Sequence, residues 1–457
     1  MFQQIVFLFQ ICSIFMVETI KYNLFGTNII KNIAYKLAKV NILCVKIFQA
    51  ISLNIDKSIN DELIKYTDHV PYSFYEDIDF DTLIDITSQE GLYIDIDKPI
   101  ASGMISIVYK ALLQKPEENG GQYKIIKIKR KNIEQKLDES IKNMEFLIKV
   151  FTGFISLLSY FNPDLHINDF NISVELHKNI DLIKEQLDFN KEVENMKEMK
   201  ELYKNNDYIK IPEVFSNITK KYSNIILMEY IDGITISNVE ETDYEIYAKQ
   251  VFTFSFSSLL VKGTIHGDLH SGNILFIKEK REKGEKGEND KPIYKLGIID
   301  FGLVYKLDDD FKNKFAELFI DIYTKPIIEV APEILICGIF EPIECINALP
   351  EKHKQHIIQL MAEIIDDIFY KNKKGGLINI IDFILKINNY FNENNLKEYN
   401  IRISKNFLKV QMVMAMSQGI GIMLCKDKNI EMTNQVIREI FHLDLIEERE
   451  DIKDTAD

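Results

Sequence analysis

The chain has 457 residues, enough for a two-lobed catalytic unit with extensions. It is 46% hydrophobic and 27% charged, as a globular protein is, but its 55 Lys and Arg face 70 Asp and Glu, a net charge of -15. That balance speaks against a nucleic-acid footprint and against polybasic membrane attachment. Cys12, Cys44, Cys337, Cys345 and Cys425 form no Cys-x-x-Cys pair and are odd in number, which argues against a zinc site or disulfide framework and for a reducing compartment.

Residues 1–17 are strongly apolar and carry no Lys or Arg. The run is shorter than the roughly 20 residues of a spanning helix and ends at Glu18. It is expected to pack as a helix on the body of the protein or to dip into a membrane. Residues 27–70 read as helical, with Ile30, Ala34, Leu37, Val40, Leu43 and Ile47 at three- and four-residue steps, until Pro71 stops the pattern. Residues 74–90 add a short helix.

From Tyr93 the period becomes strand-like. Two strands flank the small-residue turn Ala101-Ser102-Gly103, and Tyr123 to Arg130 forms the next strand. A small-residue turn followed by a strand bearing a lysine, here Lys127, is how a kinase N-lobe covers and grips phosphates. Lys124 and Lys129 lie close by, so from this strand alone a solvated lysine on an edge strand is the preferred reading of Lys127.

Residues 131–205 read as two or more helices, one with the stripe Phe146, Val150, Phe154, Leu157 and Leu158, another beginning near Phe189 and carrying Glu192 as a candidate partner for Lys127. Residues 208–230 return to strands, the last ending in Met228-Glu229-Tyr230, which fits a hinge whose backbone faces an adenine edge. A helix follows over 242–262.

Then comes Thr264–Phe276, TIHGDLHSGNILF, which places His266, Asp268, His270 and Asn273 within eight residues, and beyond it Asp300-Phe301-Gly302. An Asp, an Asn five residues on, and an Asp-Phe-Gly after a strand pair form the pattern of a phosphoryl-transfer site. Magnesium takes oxygen ligands from carboxylates and amides, and an Asp near the acceptor can orient it or take its proton. Lys278–Pro292 is charged and reads as a solvated, mobile hairpin loop; after Gly302 the pattern is helical to the end, with stretches near 325–339, 352–371, 376–394 and 406–423, and the acidic end Glu447–Asp457 is expected to fray.

Together these residues resemble the UbiB (aarF-domain) atypical kinases. Pro99 to Tyr109 is similar to that family's alanine-rich loop, IIKIKR to its VAVKVQRP, Leu187 to Asn195 to its LDFxxEAxN helix start, HGDLHSGNIL to its HGDxHPGNIL with Ser271 in place of Pro, and IIDFGLVYKL to its Asp-Phe-Gly segment. Upstream, Lys46-Ile-Phe-Gln49 with Ser52, Asp56 and Asp68 to Pro71 is similar to its KxGQ helix. The resemblance spans about residues 30–442.

It implies an α+β, two-lobed protein-kinase-like fold with a small β-rich N-lobe, a helical C-lobe and extra N-terminal helices. The corresponding division is an apolar segment over 1–26, a helical extension over 27–92, an N-lobe over 93–232, a C-lobe over 233–446 and a tail over 447–457. It also implies an atypical kinase or ATPase that binds ATP and Mg2+, with ties to ubiquinone or prenyl-lipid metabolism and an intracellular, membrane-associated setting, mitochondrial or plastid in the family. By position, Lys127 would hold the α- and β-phosphates and pair with Glu192, and Asn273 and Asp300 would ligate magnesium. Asp268 would take the catalytic-base position and His270 would support the loop. Ala101, Ser102 and Gly103 would cover the phosphates, Glu229 and Tyr230 would meet the adenine, and Lys46 and Gln49 would reach toward the nucleotide.

The chain departs from the family pattern at Phe48, where KxGQ has glycine, at Gln186, where an acidic residue would face Lys46, and at Gly103, where the third alanine stands. Together these suggest a looser cover over the nucleotide site. Three rivals are an ordinary protein kinase, an aminoglycoside- or choline-kinase-like phosphotransferase, and a nucleotide-binding pseudokinase that serves as an interaction module. Ala331-Pro332-Glu333 spells a protein-kinase motif, but Gly302 to Ala331 has helical periodicity, with Thr324 its only Ser or Thr.

Overall fold

The computed structural model describes residues 2–52, 63, 69–114, 123–161, 180–181, 183–280, 292–366, 380–425 and 428–443. Asp56, Asp68, most of the charged loop after Lys278 and the acidic tail fall outside the described residues, as do the side chains of Gln49, Ser52, Phe154, Leu157 and Leu158. The chain divides into two compact units, one of Met1–Lys197 with Pro212–Tyr230, the other of Glu198–Ile211 with Ile231–Asp457.

The first unit opens with three helices, α1 (Phe2–Phe25), α2 (Ile29–Val40) and α3 (Leu43–Ser52). The apolar run does not end at Glu18. That side chain is turned inward, 1% exposed, and held by Lys36 at 2.7 Å and Lys21 at 3.2 Å, so the helix continues to Phe25. Phe7, Ile14 and Glu18 form its buried line, while Phe2, Phe9, Met16 and Ile20, about half a turn away at 100° per residue, are exposed. The continuous helix expected over 27–70 breaks at Asn41. Its buried amide donates to the Ser140 carbonyl and accepts from the Leu43 N–H, which diverts the backbone between α2 and α3.

Short helices α4 (Phe74–Asp77) and α5 (Phe80–Gln89) lead into strands β1 (Leu92–Ile94), β2 (Ala101–Ser102), β3 (Ser106–Leu113) and β4 (Tyr123–Lys129). Helices α6 (Ile133–Phe161) and α7 (Phe189–Leu202) follow, then β5 (Ile209–Lys210), α8 (Ser216–Lys221) and β6 (Ile225–Glu229). The sequence pattern gave no sign of α8. In the first unit β1, β3, β4 and β6 form an antiparallel sheet in that order, with β2 paired to β3. One core lies on this sheet, with Ile107, Tyr109, Ile126, Ile128, Ile225 and Leu227 against Ile78, Leu83 and Ile86. Another joins α2, α3 and α6 around Leu43, Val45, Phe48 and Leu137, together with Val70 and Met104.

The second unit holds α9 (Tyr244–Ser257), then β7 (Thr264–His266), β8 (Ile274–Glu279), β9 (Ile293–Ile298) and β10 (Val304–Lys306). Strand β9 pairs parallel with β5 and antiparallel with β8, and β7 pairs antiparallel with β10. Strand β10 corrects the expectation of helix throughout after Gly302: three residues carry too little period to announce themselves, but their backbone groups find partners on β7. Beyond it lie α10 (Asp309–Thr324), α11 (Ile327–Val330), α12 (Ile343–Ala348), α13 (Glu351–Asp366), α14 (Ile380–Glu393), α15 (Lys405–Cys425) and α16 (Asn429–Ile440), with the short strand pair Phe340–Glu341 and Arg402–Ile403 between them. Helices α1 and α15 are each long and apolar enough to cross a membrane; half of the apolar window of α15 is buried within the protein, against 17% for α1.

Candidate functional site

In the first unit, Lys127 lies on β4, which is flanked on both sides by β3 and β6 and is no edge strand. Its side chain is buried and donates to Glu192 Oε1 at 2.6 Å, while Glu192, in the first turn of α7, is 1% exposed. The solvated-lysine alternative therefore fails for Lys127. Lys124 and Lys129, on the same strand, are partly buried, and burial holds the Lys129 ammonium below its usual pKa. Phe189 packs its ring 5.6 Å from Lys127 and 5.2 Å from Lys129.

The turn of Ala101, Ser102 and Gly103 leaves β2 and returns into β3, with the Gly103 N–H donating to the Ser106 carbonyl at 2.9 Å. A Cβ on Gly103 would meet only the Ser106 carbonyl oxygen, at 3.7 Å, so packing does not demand glycine here. At the end of β6 the Glu229 N–H donates to the Glu213 carbonyl at 2.8 Å, and its carboxylate accepts from the Glu213 N–H at 3.1 Å. The Tyr230 ring takes Lys110 on its face at 3.8 Å, and Lys110 lies 4.0 Å from the Tyr123 ring. Both side chains are thus engaged by the first unit's own surface. Lys46 is half-buried on α3, and Phe48 is 9% exposed in the core that also holds Met104, the residue after Gly103. The phenyl ring at the family's glycine position is absorbed by apolar packing.

In the second unit, a hydrogen-bonded network gathers the remaining residues. His266 is buried at the end of β7; its Nε2 donates to the Asp300 carbonyl, and its Nδ1 accepts from the Asp268 N–H at 3.2 Å. The ring is therefore neutral with its proton on Nε2, and burial holds its pKa below the usual value against the opposing pull of Asp300 and Asp268. Asn273 Nδ2 donates to the Asp268 carbonyl at 2.8 Å, which turns Oδ1 away from that carbonyl, and Asp300 Oδ1 accepts from the Gly302 N–H at 3.0 Å. His270 Nδ1 accepts from the Gly272 N–H at 3.1 Å and caps the turn Ser271–Asn273. Gly267 fits tightly: a Cβ there would lie 2.7 Å from Tyr305 Cε2 and 2.8 Å from Leu303 Cγ.

Asn273 and Asp300 offer an amide and a carboxylate oxygen, the hard donors magnesium takes. Among the described residues no group of three or more His, Cys, Asp or Glu could hold a metal. The sequence reading placed His266 in the motif but gave it no role. Its signal was its position two residues before Asp268, at the end of an apolar strand.

A lysine–glutamate pair from a central strand and a helix, and an Asp–Asn–Asp set joined through a buried histidine, are the parts of a protein-kinase-like α+β fold. Residues 87–331 match the model of the ABC1 atypical kinase-like domain, more than half of the chain. The chain belongs to the ABC1 (UbiB) atypical kinase family. It is 28% identical over 371 residues to a Dictyostelium discoideum protein described as "Probable serine/threonine-protein kinase abkB", covering 76% of this chain and 50% of that one. It is 25% identical over 341 residues to a "Probable protein kinase UbiB" of Histophilus somni, covering 73% and 56%. The chain thus spans about half the length of the curated relatives it matches. Among solved structures it is similar to the Rv3197–erythromycin complex from Mycobacterium tuberculosis, with a TM-score of 0.45 and 14% identity, over 88% of this chain and 93% of that one.

Proposed function

We propose that this chain is an ATP- and magnesium-binding atypical kinase or ATPase that works with a lipid or quinone pathway. The observation that carries the proposal is the network in which His266 and Asn273 tie Asp268 to Asp300 in the second unit. Such a network holds an acid–base group and oxygen ligands in fixed relation before any ligand arrives, and preorganisation of this kind is where phosphoryl-transfer catalysis gains most.

In this proposal Lys127, oriented by Glu192, holds the α- and β-phosphates, while the backbone of Ala101, Ser102 and Gly103 covers the phosphates. Glu229 and Tyr230 meet the adenine through main-chain groups, and Lys46 and Gln49 reach the nucleotide from α3. Asn273 and Asp300 ligate magnesium, which when bound neutralises the triphosphate oxygens. Asp268 orients the acceptor hydroxyl and receives its proton as the acceptor oxygen bonds to the γ-phosphorus and the bond to the bridging oxygen of ADP breaks. His270 keeps this loop in shape. If water is the acceptor, the same steps make an ATPase.

A lipid setting is supported by α1, whose outer side presents Phe2, Phe9, Met16 and Ile20 while its one inward carboxylate pairs through Oε1 with Lys21 and Lys36. The quinone link and the mitochondrial compartment rest on the family resemblance. The test is magnesium–ATP binding and ADP release, with and without vesicles of anionic and prenyl lipids, for wild type and Asp300→Asn. Turnover that is lost in Asp300→Asn supports the proposal. Binding without turnover points to a pseudokinase, and turnover raised by an aminoglycoside or choline points to a small-molecule kinase.

A further inference from the structure

We propose that Arg130 is a positioning residue for the phosphate-facing turn: it locks Ser102 and Gly103 to the Val70–Pro71 segment, so that the helical extension sets the shape of the nucleotide loop. The inference rests on the proposed nucleotide role of that turn.

Arg130 follows the last residue of β4, three positions after Lys127, and is 4% exposed. Its Nε donates to the Gly103 carbonyl at 3.0 Å. One terminal nitrogen donates to the Pro71 carbonyl at 3.0 Å and to Asp77 Oδ2 at 3.1 Å. The other donates to Ser102 Oγ at 2.8 Å and the Val70 carbonyl at 3.3 Å. Every N–H of the fork is used, and the acceptors come from three separate stretches of chain. Asp77 is held in turn by Lys136 at 2.6 Å and by the Ser73 N–H at 2.7 Å. The turn and the segment also bond each other directly: the Val70 N–H donates to the Ser102 carbonyl at 2.7 Å, and Ser102 Oγ donates to the Val70 carbonyl at 2.9 Å.

The glycine makes this clamp necessary. Gly103 is the most permissive residue the turn could carry, and a Cβ would find nothing closer than 3.7 Å to restrain it. Arg130 supplies from outside the restraint that a side chain would have supplied from within. A lysine could not replace it, because an ammonium is a single point with three donors and cannot serve the five acceptors that the guanidinium fork reaches.

The test uses the full chain and compares Arg130→Gln, Arg130→Lys and Ser102→Ala with wild type. Amide hydrogen exchange without ligand is read over residues 69–72 and 100–106. Exchange should rise in both stretches together in Arg130→Gln and in Arg130→Lys, and less in Ser102→Ala, which also covers the case that an arginine variant fails to fold. A rise confined to one stretch, or none, overturns the clamp. Magnesium–ATP binding should weaken about tenfold in Arg130→Lys while adenosine, which lacks phosphates, changes by less than about twofold. An equal loss for both ligands would mean a merely structural role, and unaltered ATP binding would remove the positioning role. Gly103→Ala placed on Arg130→Lys should recover part of the ATP affinity. If wild type itself binds no ATP, the nucleotide role of the turn falls, and the clamp is judged by hydrogen exchange alone.

Discussion

Gly103 and Gly267 lie in turns, one in each compact unit, and the same substitution should have opposite consequences at each. In Gly267→Ala the new methyl would lie 2.7 Å from Tyr305 Cε2, 2.8 Å from Leu303 Cγ and 3.1 Å from the Leu303 carbonyl oxygen. Ordinary carbon contacts lie near 3.5–4.0 Å, so β10 would have to retreat by about 1 Å. It cannot do so freely, because the Gly267 N–H donates to that same Leu303 carbonyl at 2.7 Å and β10 is paired to β7. Overpacking costs about 1–3 kcal/mol, and weakening the bond adds roughly 1 kcal/mol, so a loss of about 2–4 kcal/mol is expected. Gly103→Ala meets only one atom, at ordinary contact distance, and should be neutral or stabilising by about 0.4–1 kcal/mol through the unfolded chain. Urea unfolding of both variants beside wild type measures the contrast. A loss below about 0.5 kcal/mol for Gly267→Ala, or an equal loss for Gly103→Ala, would refute the packing argument.

Glu192→Gln should cost on the order of 3 kcal/mol in stability, because it removes one partner of a buried ion pair, and the double variant Lys127→Met, Glu192→Leu should cost less than the sum of its singles in a double-mutant cycle. His266 has a folded-state pKa below its unfolded value, so its stabilising contribution is complete above about pH 6.5 and is lost as pH falls toward the folded-state pKa. Unfolding free energies measured from pH 7 to pH 5 should therefore fall more steeply for wild type than for His266→Asn, by up to about 1.4 kcal/mol per pH unit; parallel curves would contradict the buried neutral ring. Replacing exposed Phe9 and Met16 with Asp should reduce sedimentation with lipid vesicles while changing unfolding by less than about 0.5 kcal/mol, and unchanged sedimentation would remove α1 from any lipid role.

The family was legible in Thr264–Phe276 and Asp300-Phe301-Gly302 because their pattern lies in contiguous residues at fixed spacing, and the strand–turn–strand before Lys127 was legible by its period. What the sequence hid was orientation. Lys124, Lys127 and Lys129 look alike in a row, and only the sheet order shows that one of them is buried on a central strand beside Glu192. Glu18 read as the end of an apolar run, yet it faces inward to Lys36, and the helix continues. Asn41 broke an apparently continuous helix through two side-chain hydrogen bonds, one to a residue 99 positions away, which no local pattern can signal. Arg130 stood in the quoted strand without a role for the same reason: its acceptors at Val70, Pro71, Asp77, Ser102 and Gly103 are remote in sequence and mostly main-chain. The departure at Phe48 was visible, but its absorption into the core beside Met104 was not.

The central claim is that Asn273 and Asp300 give this chain a magnesium-dependent hold on ATP. Titrating ATP into the full chain with magnesium and then with a chelator, for wild type, Asn273→Ala and Asp300→Asn, addresses it directly. Wild type should bind at least about tenfold more tightly with magnesium, and both variants should lose that difference while unfolding as cooperatively as wild type. Equal affinity with and without magnesium in wild type, or an undiminished magnesium effect in both variants, would contradict the account.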